Sequence, residues 1–148
     1  MTDKYTSLRS FLEIKQVPCV EYELDLLVAN EESFDECAVK SLLLSTDFGY
    51  ILAVMVLLKK LDSAKLRRRL NTQRLRFSTE EELSTVMDCV SGSCHPFGSI
   101  RGVKTIIDSS VLETSDIYCS SGVLNGVIKI SLHDYIRIED PILADISK

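Results

Sequence analysis

The sequence has no apolar run long enough to cross a lipid bilayer as a helix. Its longest uninterrupted run, YILAVMVLL at residues 50–58, contains nine residues, whereas a transmembrane helix needs about 20. The N-terminal stretch MTDKYTSLRSFLEIK has no continuous hydrophobic segment, which argues against a secretory signal peptide. We therefore expect a cytoplasmic protein without a membrane partner, in which the run at 50–58 is a buried strand.

Cysteines in paired spacing are also missing. The chain has five cysteines, at Cys19, Cys37, Cys89, Cys94 and Cys119. An odd number without a C-x-x-C motif favours free thiols that pack as small apolar residues. Only Cys89, Cys94 and His95 cluster locally, which is too few for a zinc site. We expect no disulfide, no metal and no cofactor.

The composition excludes disorder and low complexity. Apolar residues make up 45% and charged residues 26% of the 148 positions, as in ordinary globular proteins. No internal repeat and no linker divides the chain. Hairpin and helix patterns are mixed along it, which favours a single α+β domain, residues 1–148, built around a mixed sheet.

Local patterns predict the elements of this domain. Helical spacing predicts short helices in YTSLRSFLEIKQ, DSAKLRRRLN, STEEELSTVMD and LHDYIRI. Strand patterns occur in CVEYELDLL, AVKSLLLS, YILAVMVLL, RLRF, VKTIID, DIYCSSG and GVIKIS. The second and third of these strands are separated by TDFG, which predicts an antiparallel hairpin.

The net charge of −5 hides a basic island at residues 59–76. Its cations are Lys59, Lys60, Lys65, Arg67, Arg68, Arg69, Arg74 and Arg76. Against these eight stands only Asp62, so the island carries +7 and the remainder −12. A basic patch on an acidic protein favours a polyanionic partner. A solvated helix face is the alternative.

The stretch GSCHPFG at residues 92–98, hereafter the GSCHPFG loop, places Cys94 beside His95, one of only two histidines. A thiol nucleophile with its base, half of a metal site and a structural turn are all possible interpretations. Adjacent residues on an extended chain point to opposite faces, which disfavours a shared proton. Gly92 and Gly98 permit unusual backbone angles or close approach, and Pro96 fixes the chain between them. The loop could therefore offer main-chain groups to a ligand, or simply connect two strands.

Other candidate residues are ambiguous by themselves. Lys40 alternates with Leu42 and Leu44 in its strand, so its ammonium needs an anionic partner such as a phosphate, or else extends to solvent. Asp108 ends TIID and is expected to cap the following helical turn. The last group, Ser120, Ser121 and Gly122, suits a turn at a strand end.

Taken in chain order, these pieces resemble the freestanding editing domains of the YbaK type, which are related to the insertion domain of bacterial prolyl-tRNA synthetase. The resemblance runs from about residue 35 to the end of the chain. The matching pieces are Lys40 in VKSLLL, the G-x-x-x-P loop at 92–96 with FG after it, TIID, IYCSSG at 117–122 and ADIS at 144–147. The resemblance implies a largely antiparallel curved sheet surrounded by short helices.

The resemblance also implies an activity, the metal-independent hydrolysis of mischarged aminoacyl-tRNA. The lysine matching Lys40 would organise the terminal adenosine and its phosphate and is the expected catalytic residue. The substrate's own groups would assist the reaction, so no enzyme nucleophile is expected. The expected substrate-binding residues are Ser41, Gly92, Ser93, Cys94, His95, Pro96, Phe97, Gly98, Asp108, Ser120, Ser121 and Gly122. The basic island would hold acceptor-stem phosphates.

The chain departs from the family pattern near the expected pocket. Ser41 replaces a usual threonine, Ser121 replaces a common glycine, and Cys94 and His95 replace small or aliphatic residues. No histidine precedes NEESFDE, where many members have one. We expect cysteine on tRNA for proline as the first substrate, then alanine, then serine. The expected partners are the tRNA acceptor end and a prolyl-tRNA synthetase, with no DNA; a non-catalytic adaptor that binds tRNA or a synthetase is the alternative.

Overall fold

The structure is a computed structural model that describes residues 4–25 and 37–148. The helices in these ranges are α1 (Lys4–Ile14), α2 (Ser63–Leu70), α3 (Glu80–Met87) and α4 (Leu132–Glu139). Asp62 caps α2 by accepting from the N–H groups of Ala64 and Lys65. Thr79 and Glu82 form a capping box at the start of α3. None of the described helices is long and apolar enough to span a membrane.

Eight strands in the described ranges form two sheets. The strands are β1 (Val20–Glu23), β2 (Val39–Thr46), β3 (Gly49–Val56), β4 (Leu75–Phe77), β5 (Lys104–Asp108), β6 (Asp116–Ser120), β7 (Gly126–Ser131) and β8 (Ile142–Ala144). One sheet has the order β4-β2-β3-β5-β8, and the other has the order β1-β7-β6. A parallel bridge between Ala38, the residue before β2, and Tyr118 of β6 links the two sheets. This arrangement confirms the predicted α+β fold with antiparallel-rich strands.

The five-stranded sheet is built on the predicted hairpin. β2 and β3 pair antiparallel along their whole length, from Val39 opposite Val56 to Thr46 opposite Gly49. β5 then joins β3, and β8 joins β5, both in parallel. The sheet is therefore mixed, as the sequence predicts.

The two faces of this sheet pack against different parts of the chain. On one face Leu43 packs with Leu83 of α3 and with Cys94 of the GSCHPFG loop. On the other face Leu44 packs with Leu66 of α2. Because side chains alternate along a strand, Ser41 belongs to the face of Leu43 and Lys40 to the face of Leu44.

The structure differs from the sequence predictions at three places. The strand predicted in CVEYELDLL is shorter, because only residues 20–23 pair with β7 and the chain turns helical at Leu24 and Asp25. The rest of that prediction, from residue 26, lies outside the described residues. β8 was not predicted, because three residues carry too little periodicity and β5 supplies the pairing. The predicted helical turn in SSVLET is a 3-10 helix (Ser109–Glu113).

Candidate functional site

A cavity of about 390 Å³ opens along the side of β2 that faces away from β3. We call it the β2 cavity. It collects predicted site residues from three separate parts of the chain, namely Lys40, Ser41, Gly92, Cys94 and Ser120. The two sheets and the GSCHPFG loop bring these parts together. Their convergence makes this cavity the candidate site.

Lys40 lies half-buried at the cavity wall. Its Nζ donates a hydrogen bond to the carbonyl oxygen of Lys59, 2.5 Å away. An ammonium group has three N–H donors, so two remain for a bound anion. The position shares its sheet face with Leu42 and Leu44, as the alternation predicted.

The GSCHPFG loop is anchored at both ends. Gly92 has φ +84°, and a Cβ at Gly98 would lie 2.5 Å from the carbonyl oxygen of Val103, so each glycine is required for the reason predicted. The Pro96 carbonyl accepts a hydrogen bond from the Tyr135 hydroxyl at 2.7 Å. Phe97 is fully buried in the main core. Pro96 and Phe97 therefore fix the second half of the loop to the core, while the first half faces the β2 cavity.

Cys94 and His95 do not form a nucleophile and base pair. The Nδ1 atom of His95 accepts a hydrogen bond from the N–H of Phe97 at 3.2 Å. Burial disfavours the charged imidazolium and, with the nearby Arg101 cation, lowers the pKa of His95 to about 4. A hydrogen bond with Cys89, together with burial, raises the pKa of the Cys94 thiol far above its usual range. Neither side chain is prepared for thiolate chemistry.

Ser120 ties β6 to the GSCHPFG loop. Its hydroxyl donates a hydrogen bond to the carbonyl oxygen of Ser93 at 2.7 Å and accepts one from the N–H of Gly122 at 3.1 Å. This pair of bonds fixes the loop relative to the second sheet. Gly92, Ser93 and Ser120 also line an adjoining, more apolar cavity of about 440 Å³.

The model of the aminoacyl-tRNA editing domain family matches residues 25–138. The chain belongs to this family. A curated relative, the proline--tRNA ligase of Streptococcus equi subsp. zooepidemicus (strain H70), is 24% identical over 115 residues. The match covers 78% of this chain but only 18% of the ligase, so the chain corresponds to about a fifth of that relative. The family resemblance predicted from the sequence is confirmed.

Solved structures share the fold of this editing domain. The crystal structure of a proposed trans-editing enzyme for prolyl tRNA synthetase matches with a TM-score of 0.83 at 18% identity, covering 100% of this chain and 99% of that one. A scaffold protein from work on epitope backbone grafting by computational design matches with a TM-score of 0.84 at 17% identity, with the same coverage. At these identities the likeness concerns the fold alone.

Asp108 of the editing domain does not line the β2 cavity. It is completely buried, and its Oδ1 accepts hydrogen bonds from the N–H groups of Ile146 at 2.8 Å and Ser147 at 3.1 Å. The hydroxyl of Ser147 donates to Oδ2 at 3.0 Å. Burial alone would raise the pKa of Asp108, but the hydrogen bonds from Ser110, Ile146 and Ser147 lower it overall. Its contacts hold the C-terminal segment ADIS against β5, in addition to the predicted cap on Ser110.

Ser121 and Gly122 lie beside the candidate site. The Ser121 hydroxyl is buried without a hydrogen-bond partner among the described residues. It lines a different cavity, together with Glu21 and Asn125. A Cβ at Gly122 would lie 3.3 Å from Cδ2 of His95, so the two positions are packed closely.

The basic island divides into paired and unpaired cations. Lys65 forms an ion pair with Asp145, and Arg76 forms one with Glu82. Arg67, Arg68 and Arg69 are exposed on α2 and have no ion pair among the described residues. Since α2 packs on the sheet face that carries Lys40, these arginines lie on the lysine's side of the sheet.

The sequence did not single out several residues that line the β2 cavity, among them Phe77, Ser78, Leu83 and Ser91. Leu83 lies in the predicted helix STEEELSTVMD, and Phe77 lies in the predicted strand RLRF. No local signal related either element to Lys40. The N–H of Ser78 donates to the Leu43 carbonyl at 2.9 Å, and this long-range pairing brings the residue to the cavity.

Proposed function

We propose that this editing domain hydrolyses the ester that joins a wrongly attached amino acid to transfer RNA. The observation that carries the proposal is the β2 cavity, where Lys40, the first half of the GSCHPFG loop and Ser120 converge. The family membership supports the substrate class. We also propose that residues 1–148 act as one editing domain, acting in trans on a released tRNA.

Lys40 is the proposed catalytic residue. With one N–H committed to the Lys59 carbonyl, its ammonium would bind the terminal adenosine and its phosphate through the other two. Main-chain groups at 92–96 would hold the aminoacyl group. Water adds to the ester carbon, the bond from that carbon to the ribose oxygen breaks, and the ribose oxygen leaves with a proton from the water.

The reaction would be assisted by the substrate itself. The raised pKa of Cys94 and the lowered pKa of His95 make a thiolate and imidazole pair a poor alternative. An aminoacyl ester is already activated, so orientation and stabilisation of the developing oxyanion can supply much of the rate. The ribose hydroxyl beside the ester, or a cysteine thiol of the substrate, would help to activate the attack.

Cysteine attached to tRNA for proline is the proposed first substrate, followed by alanine and serine. The similarity to a proline--tRNA ligase supports the choice of tRNA. The acceptor end of that tRNA would lie along the arginines of α2, on the side of Lys40. A prolyl-tRNA synthetase is the proposed protein partner.

A deacylation panel tests the proposal. Proline tRNA charged with cysteine, alanine or serine is incubated with wild-type protein, Lys40→Ala and Lys15→Ala, a control at an exposed lysine outside the basic island and the β2 cavity. We expect release above the buffer rate for at least one amino acid, a loss of about 100-fold in Lys40→Ala, and little change in Lys15→Ala. Both variants should unfold at the wild-type temperature. Release at the buffer rate for all three amino acids would contradict the proposal.

A non-catalytic adaptor is the second candidate function. The observation that favours it is that Cys94 and His95 are both buried in the GSCHPFG loop, at positions where the family pattern has small or aliphatic residues. Such an adaptor would bind tRNA or a synthetase through the same surface. Tight binding of charged tRNA, without release of any amino acid, would support this function over the first.

A further inference from the structure

The free side of β2 has the geometry to bind an α-aminoacyl group as if it were one residue of a neighbouring strand. We propose that the main-chain N–H and C=O of Ser41 form this binding site. The inference rests on the proposed function and adds a recognition element to it, on the wall of the cavity opposite the GSCHPFG loop.

Two hydrogen bonds fix the direction of the main-chain groups along β2. The Ala38 carbonyl accepts from the N–H of Leu57 at 2.8 Å on the β3 side, and the Leu43 carbonyl accepts from the N–H of Ser78 at 2.9 Å on the β4 side. In an antiparallel ladder the N–H and C=O of one residue point to the same side, and the side alternates along the strand. Ser41 therefore directs both groups away from β3, as Leu43 does.

No strand in the described ranges pairs with Ser41 on that side. Among the described residues β4 pairs with β2 only at residues 44–46, and β6 bridges the chain at Ala38, just before β2. Ser41 lies in the gap between these contacts, where the β2 cavity is located. An unpaired strand edge of this kind is a template for main-chain hydrogen bonding with a ligand.

An α-aminoacyl ester matches this edge chemically. Its ammonium and its carbonyl group are separated by one carbon atom, as are the N–H and C=O groups of a strand residue. The ammonium can donate to the Ser41 carbonyl while the Ser41 N–H donates to the ester carbonyl, which completes one hydrogen-bonded antiparallel pair. Negative charge develops on that ester oxygen during attack by water, so the N–H also stabilises the transition state.

The pairing determines the direction of the rest of the substrate. In an antiparallel pair, the position after the bound aminoacyl group lies opposite the residue before Ser41, which is Lys40. The ester oxygen and ribose would therefore extend toward Lys40. The aminoacyl side chain would lie on the face of Ser41, which is the face of Leu83 and Cys94. Those two side chains would then limit its size.

Amide hydrogen exchange measured by NMR tests the site. In the free protein we expect rapid exchange at Ser41 and slow exchange at Leu42, whose N–H points toward β3. The probe is 3′-alanylamido-3′-deoxyadenosine, in which an amide replaces the labile ester. On its addition we expect the Ser41 amide signal to shift and its exchange to slow at least about tenfold.

Three other results would contradict the proposed binding site at Ser41. Slow exchange at Ser41 in the free protein would show that its N–H is already paired. Shifts at Gly92 and Ser120 without a change at Ser41 would contradict this inference and leave the proposed function intact. No shift at any cavity residue would contradict the proposed function, and this inference with it.

A pair of substitutions supplies a kinetic test. Ser41→Ala removes only the hydroxyl, whereas Ser41→Pro also removes the N–H, and proline is tolerated in a strand where that N–H is unpaired. We expect Ser41→Pro to have a kcat/KM about 100-fold below that of Ser41→Ala. If Ser41→Pro does not fold, replacement of Ser41 by its α-hydroxy acid removes the same N–H and keeps the side chain. Equal kcat/KM in a folded pair would overturn the inference.

Discussion

The hydroxyl of Ser120 donates a hydrogen bond to the carbonyl oxygen of Ser93 across 2.7 Å and so joins the end of β6 to the GSCHPFG loop. The two residues are 27 positions apart in the chain. The main-chain groups proposed to hold the aminoacyl group therefore depend on a side chain from the other sheet. A role in positioning the loop, rather than direct contact with substrate, is the first expectation for Ser120.

Removal of this tie should slow the reaction more than it destabilises the fold. For Ser120→Ala we expect kcat/KM to fall about tenfold and the free energy of unfolding to fall by about 1 kcal/mol. Ser91→Ala is the control, because Ser91 lines the same cavity but its hydroxyl has no hydrogen bond to any of the described residues. Equal kinetic effects in the two variants would argue against a positioning role.

Asp108 should contribute mainly to stability. Asp108→Ala leaves the N–H groups of Ile146 and Ser147 without their acceptor, and we expect the free energy of unfolding in urea to fall by about 3 kcal/mol. Asp145→Ala, on the same segment but in an exposed ion pair, should cost less than about 1 kcal/mol. If Asp108→Ala instead lost activity at unchanged stability, Asp108 would belong to the substrate-binding set, as the family resemblance implies.

The buried imidazole of His95 should make stability depend on acidity. Its pKa is about 4 in the folded protein and 6.5 as the ordinary value, so between these values the unfolded chain binds a proton that the native state does not. The free energy of unfolding should therefore fall as the pH drops from 6.5 to 4, by at most about 3 kcal/mol for this group. Urea unfolding across this range measures the loss.

His95→Asn is the control for that measurement. Its side-chain oxygen can still accept from the N–H of Phe97, but it does not titrate. The variant should lose less stability than the wild type over the same pH range. Identical pH profiles would assign the acid sensitivity to other groups. Glu139 is not one of them, because burial raises the pKa of its carboxyl and its contribution to stability therefore has the opposite sign.

Cys94 should be dispensable as a nucleophile. Because its hydrogen bond with Cys89 and its burial raise the pKa of the thiol, alkylation by iodoacetamide should be much slower in the native protein than in urea. Cys94→Ser should keep kcat/KM within about threefold of the wild type, since it changes only the wall of the cavity. Complete loss of activity in a folded Cys94→Ser protein would instead support catalysis by the Cys94 thiol.

The unpaired arginines of α2 should hold tRNA. Replacement of Arg67, Arg68 and Arg69 by glutamine should weaken tRNA binding and lower the slope of log K against log salt by about 2 to 3. Arg76→Gln is the control, because Arg76 is already paired with Glu82 and should change the slope little. An unchanged slope in the triple variant would indicate that tRNA binds another surface of the protein.

The elements that were predicted correctly are those encoded by neighbouring residues. The predicted helices α2 and α3 begin at caps whose partners are two or three positions apart, Asp62 with Ala64 and Lys65, and Thr79 with Glu82. The hairpin of β2 and β3 needs only two alternating runs and a turn. β8 was missed because its pairing partner, β5, lies more than 30 residues earlier.

By itself the sequence determined the α+β class, the local elements, the basic island and, through the ordered motifs, the family. Only the tertiary structure decided which of the predicted site residues share a cavity. Lys40, Cys94 and Ser120 line the β2 cavity, whereas Asp108 lies outside it and accepts a hydrogen bond from Ser147. The tertiary structure also left one side of Ser41 without a paired strand among the described residues. Helix caps and alternation depend on a few adjacent residues, whereas a cavity and an open strand edge depend on the register of strands that are distant in the chain.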